Sequence, residues 1–138
     1  MKKKLLTFVL ASAMALSVPV TASAYSVQYE DEYTHEDKGT ASIDTFLYDI
    51  GYGQQYVSPI FYPQGEGGIY GFASVYGSNK RITYLQKYVN GRWVAFDSSD
   101  RSGFGGTYPS AVGYPCRAVV YVYGSPVSMW FNCDYDIR

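Results

Sequence analysis

Over residues 40–138, apolar and polar positions alternate in short runs, each cut off by Gly, Pro, Asn or Ser. A half-buried strand needs a period of two, because successive side chains point to opposite faces of a sheet. On that period, strands are expected at Ala41–Tyr48, Gln55–Tyr62, Ile69–Tyr76, Arg81–Val89, Arg92–Asp97, Cys116–Tyr123 and Val127–Cys133. The interruptions are "GYG" (51–53), "PQGEGG" (63–68), "GSN" (77–79), "NG" (90–91), "SSDRSGFGG" (98–106) and "GSP" (124–126). No ten-residue segment here carries apolar residues at i, i+3 and i+4 without a Gly or Pro inside it. About seven short strands at such spacing predict an all-β fold: one antiparallel β-sandwich of Ig-like type over residues 40–138. No internal repeat is visible.

Two hairpins stand out. Asn90-Gly91 suits a type I′ turn, whose two central residues both take positive φ. With these two as the turn, Tyr88 faces Trp93, Lys87 faces Val94 and Leu85 faces Phe96. One face then carries Tyr84, Gln86, Tyr88, Trp93 and Ala95, and the other Leu85, Lys87, Val94 and Phe96. A three-residue loop would slip the register by one and exchange the faces; both registers are open at this point. Trp93 is read as a core residue. The second hairpin pairs about Gly124-Ser125, setting Val122 opposite Val127, Val120 opposite Met129, Ala118 opposite Phe131 and Cys116 opposite Cys133. Pro126 has no N–H to close a two-residue turn, which favours a four-residue loop "YGSP". One face of this pair is wholly apolar. The other carries Arg117, Val119, Tyr121, Tyr123, Trp130 and Asn132.

The first 24 residues have a different pattern. A basic start (Lys2, Lys3, Lys4), an apolar run from Leu5 to Val20 and the small-x-small close Ala22-Ser23-Ala24 predict a cleaved secretory signal, cut between Ala24 and Tyr25. The apolar run is short for a bilayer core of about 30 Å, and Pro19 interrupts it. The expected product is secreted and not inserted in a membrane. Residues 25–39 hold Glu30, Asp31, Glu32, Glu36 and Asp37 without sustained periodicity, and are expected to form a flexible acidic arm. In a secreted chain with two cysteines, Cys116 and Cys133 are expected to form a disulfide. It would close a loop of about 17 residues, worth roughly 3 kcal/mol in the loop-entropy model.

Charge and composition narrow the chemistry. Removing the three leader lysines takes the formal net charge from −1 to −4. A mildly acidic chain with no basic run has no electrostatic footprint for nucleic acid or for anionic membrane surfaces. The one histidine, His35, lies in the acidic arm, so no nucleophile–His–acid arrangement is held in place and no zinc set can be assembled. Asp97 and Asp100 in "DSSDRSG", and Asp134 and Asp136 in "DYD", could meet calcium, but the first run departs from the EF-hand pattern at several positions. Three of four glutamates (Glu30, Glu32, Glu36) sit on the arm and Glu66 in a turn, so no strand places a glycosidase pair. The loops "GEGG" and "GFGG" lack the Lys and Ser/Thr of a phosphate cradle and are read as flexible turns. A non-enzyme without cofactor or metal is expected.

All sixteen tyrosines follow residue 24, and Tyr combines strand propensity with an apolar body and polar tip. Opposite the apolar face of the last hairpin, Tyr121, Tyr123 and Trp130 form the candidate binding strip. Exposed aromatic patches mark interaction sites.

The segments "ITYLQKYVNGRWVAFDSS" and "CRAVVYVYGS" resemble small secreted Ig-like β-sandwich proteins and surface modules of Gram-positive bacteria, over about Tyr76 to Gly124. The resemblance implies the sandwich fold and carries little about activity. Pro115-Cys116 and Cys133 depart from it and suggest a stapled edge. The expected function is a secreted, non-catalytic binding or accessory module for a glycan or protein ligand. A bacteriocin-like or inhibitory protein and an extracellular assembly subunit are the alternatives.

Overall fold

The computed structural model describes residues 28–37, 39–77 and 80–138; the expected signal segment lies outside them. Among the described residues nine strands follow one another: β1 (Gln28–Asp37), β2 (Thr40–Ile50), β3 (Gln54–Val57), β4 (Gly68–Val75), β5 (Lys80–Val89), β6 (Arg92–Ser99), β7 (Gly103–Thr107), β8 (Cys116–Tyr123) and β9 (Val127–Asp136). All ladders are antiparallel. They form a five-stranded sheet, ordered β1-β2-β9-β4-β7, and a four-stranded sheet, ordered β3-β8-β5-β6. The all-β sandwich expected from alternation is the fold that forms.

The core lies between the sheets and is built by the period-two rule. From the first sheet come Ile43, Leu47, Ile69 and Phe131; from the second, Leu85 and Val120, all buried. Phe131 sits at the centre, its ring 5.0 Å from that of Tyr56 and 5.9 Å from that of Phe104. Arg81 of β5 also crosses between the sheets, donating from Nε to the Ala73 carbonyl of β4 at 2.7 Å and from Nη2 to Ser102 Oγ at 2.8 Å.

The Asn90-Gly91 hairpin takes its two-residue register. Tyr88 pairs with Trp93 and Lys87 with Val94, with φ of +54° at Asn90 and +84° at Gly91. A bulge then sets Leu85 opposite Asp97 instead of Phe96, and Phe96 packs against the core.

The last hairpin is a correction. β8 and β9 belong to different sheets, so none of the pairs expected about Gly124-Ser125 exists. Val122 pairs with Gln54 and Arg81, and Met129 with Leu47 and Val75. The end of β8 is taken by the segment after β2: Tyr52 N–H donates to the Gly124 carbonyl at 2.8 Å and Gly53 N–H to the Val122 carbonyl at 2.9 Å. Two strands with one apolar face each can bury those faces side by side or across an interior. Alternation alone does not choose, and here the interior wins.

Three further expectations change. Residues 28–37, expected within a flexible arm, pair with β2 as an edge strand, with Asp37 opposite Thr40 and Gly39 at φ +98°. The "GFGG" segment is strand β7, not a turn; a Cβ on Gly105 would overlap the Ile69 carbonyl of the neighbouring β4, so glycine is what permits this close pairing. The strand expected at 55–62 stops at Val57, before Pro59 and Pro63, and keeps only an isolated bridge from Phe61 to Cys116.

A matched pair of substitutions checks this packing. A Cβ on Gly71 would overlap the Asn132 carbonyl oxygen and lie 2.7 Å from Phe104 Cζ, whereas on Gly103 it would meet nothing closer than 4.0 Å. Gly71→Ala is expected to destabilise by about 3 kcal/mol and Gly103→Ala by less than about 0.5 kcal/mol, measured by denaturant unfolding. Equal effects would contradict the β4–β9 contact.

Candidate functional site

The outward face of the first sheet follows directly from its register. On β2 the outward positions are Ser42, Asp44 and Phe46; on β9, Asp134, Asn132 and Trp130 lie opposite them in turn. On β4, Phe72 lies opposite Asn132 and Ser74 opposite Trp130. Trp130 is thus flanked by Phe46 across one ladder and meets Phe72 edge-on at 5.8 Å across the other. Phe46 in turn contacts Tyr48 at 5.2 Å and Tyr76 at 6.2 Å. Trp130 is 49% exposed, Tyr76 50% and Tyr48 38%, so the cluster is open to solvent rather than capped. Such aromatic pairs contribute about 0.5–1.5 kcal/mol each beyond area burial.

One step along the strands, about 7 Å from the aromatic row, lies a polar row. Asn132 Nδ2 donates to Asp44 Oδ1 at 2.8 Å and to Asp134 Oδ1 at 3.3 Å, and Ser42 Oγ donates to Asp134. Each carboxylate keeps a second oxygen beyond these bonds. On the β7 side the residues opposite Tyr70 and Phe72 are Gly105 and Gly103, which carry no side chain, while Thr107 at the end of the strand meets the Tyr70 hydroxyl at 3.3 Å.

The expected strip of Tyr121, Tyr123 and Trp130 is divided. Trp130 faces outward from the first sheet, while Tyr121 and Tyr123 lie on the outer face of the second, on the opposite side of the molecule. Tyr121 is 3% exposed, packed with Val119, Val57 and Tyr84, and stacks on Tyr123 at 6.2 Å; Tyr123 is 44% exposed. Burial, then the neighbouring Tyr84, pushes the Tyr123 phenol up. Trp93, expected in the core, is instead on this outer face, under Arg117 and beside Tyr88. Phe46, Tyr48, Phe72 and Tyr76 were missed as partners of Trp130. The signal was present: Phe46 shares the polar-face positions with Ser42 and Asp44 in "ASIDTFLY".

Cys116 and Cys133 are fully buried free thiols that enter the core from the two facing sheets, not from one hairpin. Cys116 pairs with Lys87 and bridges Phe61; Cys133 lies opposite Ile43 and Gly71. Burial pushes the Cys116 thiol up to about 12, against a smaller opposing pull from Lys87. Cys133 is raised further, by burial first and then by Asp134 and Cys116.

Of the carboxylates considered for calcium, Asp97, Asp134 and Asp136 have protein partners. Asp97 accepts from the Tyr108 hydroxyl and the Ser98 N–H. Burial, then this bond, raises the Tyr108 phenol. Asp136 accepts from the Gly68 N–H at 2.9 Å, closing the start of β4. Among the described residues no three His, Cys, Asp or Glu side chains gather as a metal set, and no helix is long and apolar enough to cross a membrane. Comparison with protein-family models, curated proteins and solved structures gives no match.

Proposed function

We propose that the chain is a secreted, non-catalytic binding module whose ligand is a glycan laid across the outer face of β2, β9 and β4. The observation that carries this reading is Trp130, 49% exposed between Phe46 and Phe72 and one step from the Asp44–Asn132–Asp134 row. A pyranose ring presents C–H groups on its flat faces and hydroxyls around its rim. An indole beside amide and carboxylate oxygens complements both. A protein ligand fits less well, because the cores of protein interfaces are depleted in charged side chains and two carboxylates border this cluster. Gly103 and Gly105 on β7 leave room for a chain of sugars to continue past Phe72. The carboxylates lie on an open sheet face and not across a cleft, which favours holding a glycan over cutting it.

Secretion is part of the proposal and rests on the basic start, apolar run and Ala22-Ser23-Ala24 close. Kinship with the small secreted Ig-like proteins of Gram-positive bacteria is also part of it, and rests on the stretch from Tyr76 to Gly124. In that compartment Cys116 and Cys133 join as a disulfide across the core, each sulfur giving up one proton and one electron to a disulfide-bearing oxidoreductase. Support comes from their inward placement on facing sheets, both within the buried core. Because both are buried, the bond forms before the core closes. Intact mass of the exported protein should be lower by two hydrogens than that of the reduced chain; an unchanged mass would remove the disulfide from the account.

Binding is tested by retention of purified protein on cellulose, chitin and peptidoglycan, backed by a glycan array. Retention on at least one polymer is expected, reduced at least about tenfold by Trp130→Ala, a loss of about 1.4 kcal/mol, with an unchanged unfolding midpoint in m-matched denaturant curves. A protein retained by no glycan, or a Trp130→Ala variant retained as well as its parent, would overturn the proposal.

A further inference from the structure

The outer face of the second sheet holds a cation with no counter-charge among the described residues. Arg117 of β8 lies with its guanidinium carbon 4.2 Å from the centroid of the Trp93 ring. Its Nε donates to Gln86 Oε1 at 2.8 Å across the β5–β8 ladder, and Gln86 is 1% exposed. Tyr88 meets Trp93 edge-on at 5.1 Å and completes the support. The indole fixes the plane of the guanidinium and the amide fixes its rotation, so the fork is held in one orientation. Among the described residues no carboxylate pairs with it. Burial draws its pKa down to about 10, as expected for a cation taken from water without an anion; it stays charged at neutral pH.

Arginine has five N–H donors, and among the described residues the one on Nε is engaged, with Gln86. The terminal nitrogens form the edge that binds an oxyanion through two parallel hydrogen bonds. The indole and the amide offset only part of the cost of taking this charge partly out of water, and a bound anion would offset more. The nearest lysine in sequence, Lys87, is engaged elsewhere: Nζ donates to the Ser110 carbonyl at 2.8 Å and lies over the Tyr114 ring. A single fixed cation on a chain of net negative charge suits a monoanion better than a phosphate dianion or a polyanion.

We propose that Arg117, held by Trp93 and Gln86, is a binding site for the carboxylate of a small organic acid or acidic sugar. It lies on the opposite side of the sandwich from Trp130 and does not depend on the glycan reading.

The chain has two tryptophans, so in a Trp130→Phe background the emission reports Trp93 alone. Titration with glucuronate, benzoate and inorganic phosphate at constant ionic strength should give a saturable change with a carboxylate, and binding at least about tenfold weaker with phosphate. Arg117→Lys keeps a cation over the indole but loses the fork, and should weaken carboxylate binding at least about tenfold. Gln86→Glu supplies an internal carboxylate beside the guanidinium; it should abolish the response while holding or raising the unfolding midpoint, which separates a lost site from a lost fold. No saturable response to either carboxylate, or an Arg117→Lys titration equal to its parent, would overturn the site. Phosphate binding as tight as carboxylate binding would overturn the ligand class.

Discussion

The contact on which the structure depends is the packing of β8 against β9 across the interior. Cys116, Ala118, Val120 and Val122 point inward from one sheet, Met129, Phe131 and Cys133 from the other, all fully buried. Each buried methylene contributes about 0.8 kcal/mol, and the two strands supply the middle of the core. Because side chains alternate strictly along a strand, fixing these inward positions fixes the outward ones as well. Arg117, Tyr121 and Tyr123 must then face one side of the molecule, and Trp130, Asn132 and Asp134 the other. Had the two strands paired as a hairpin, all six would share one face. The number and character of surface sites therefore follow from one change of sheet at Gly124–Pro126.

Much of this was legible along the chain. Asn90-Gly91 specified its turn through the positive φ that both residues accept, and the faces of that hairpin follow from it. The inward sets of β8 and β9 were also correct as sets. What local patterning did not carry was the choice of partner, a non-local matter. β8 pairs with β3 and β5, and β9 with β2 and β4. The backbone N–H groups of Tyr52 and Gly53, some seventy residues earlier in the chain, occupy the carbonyls at the end of β8. Composition misled in two places for physical reasons. Acidic residues suggest a solvated arm, yet they are compatible with an edge strand. Glycines suggest a turn, yet at Gly105 they allow backbones to approach where any Cβ would collide.

The two outer faces differ in chemistry. Around Trp130 the polar groups are carboxylates and an amide already joined to one another, beside rings open to water; the surface is negative and flat. Around Trp93 the polar group is a guanidinium gripped by an indole and a buried amide; the surface there is positive and ordered by packing. A neutral hydroxylated ligand suits the first and a carboxylate the second. The cysteines serve neither face. Their place is the interior, where a covalent bond would tie together the two sheets that carry these surfaces.

The most direct test of this account is nuclear Overhauser contact between backbone protons of paired strands. Contacts joining Trp130 to Phe46 and to Ser74, together with contacts joining Val120 to Tyr56 and to Thr83, are predicted by the two-sheet arrangement. A backbone ladder joining Val120 to Met129 and Ala118 to Phe131 would restore the hairpin, bring Trp130 to the same face as Tyr121, and contradict the account.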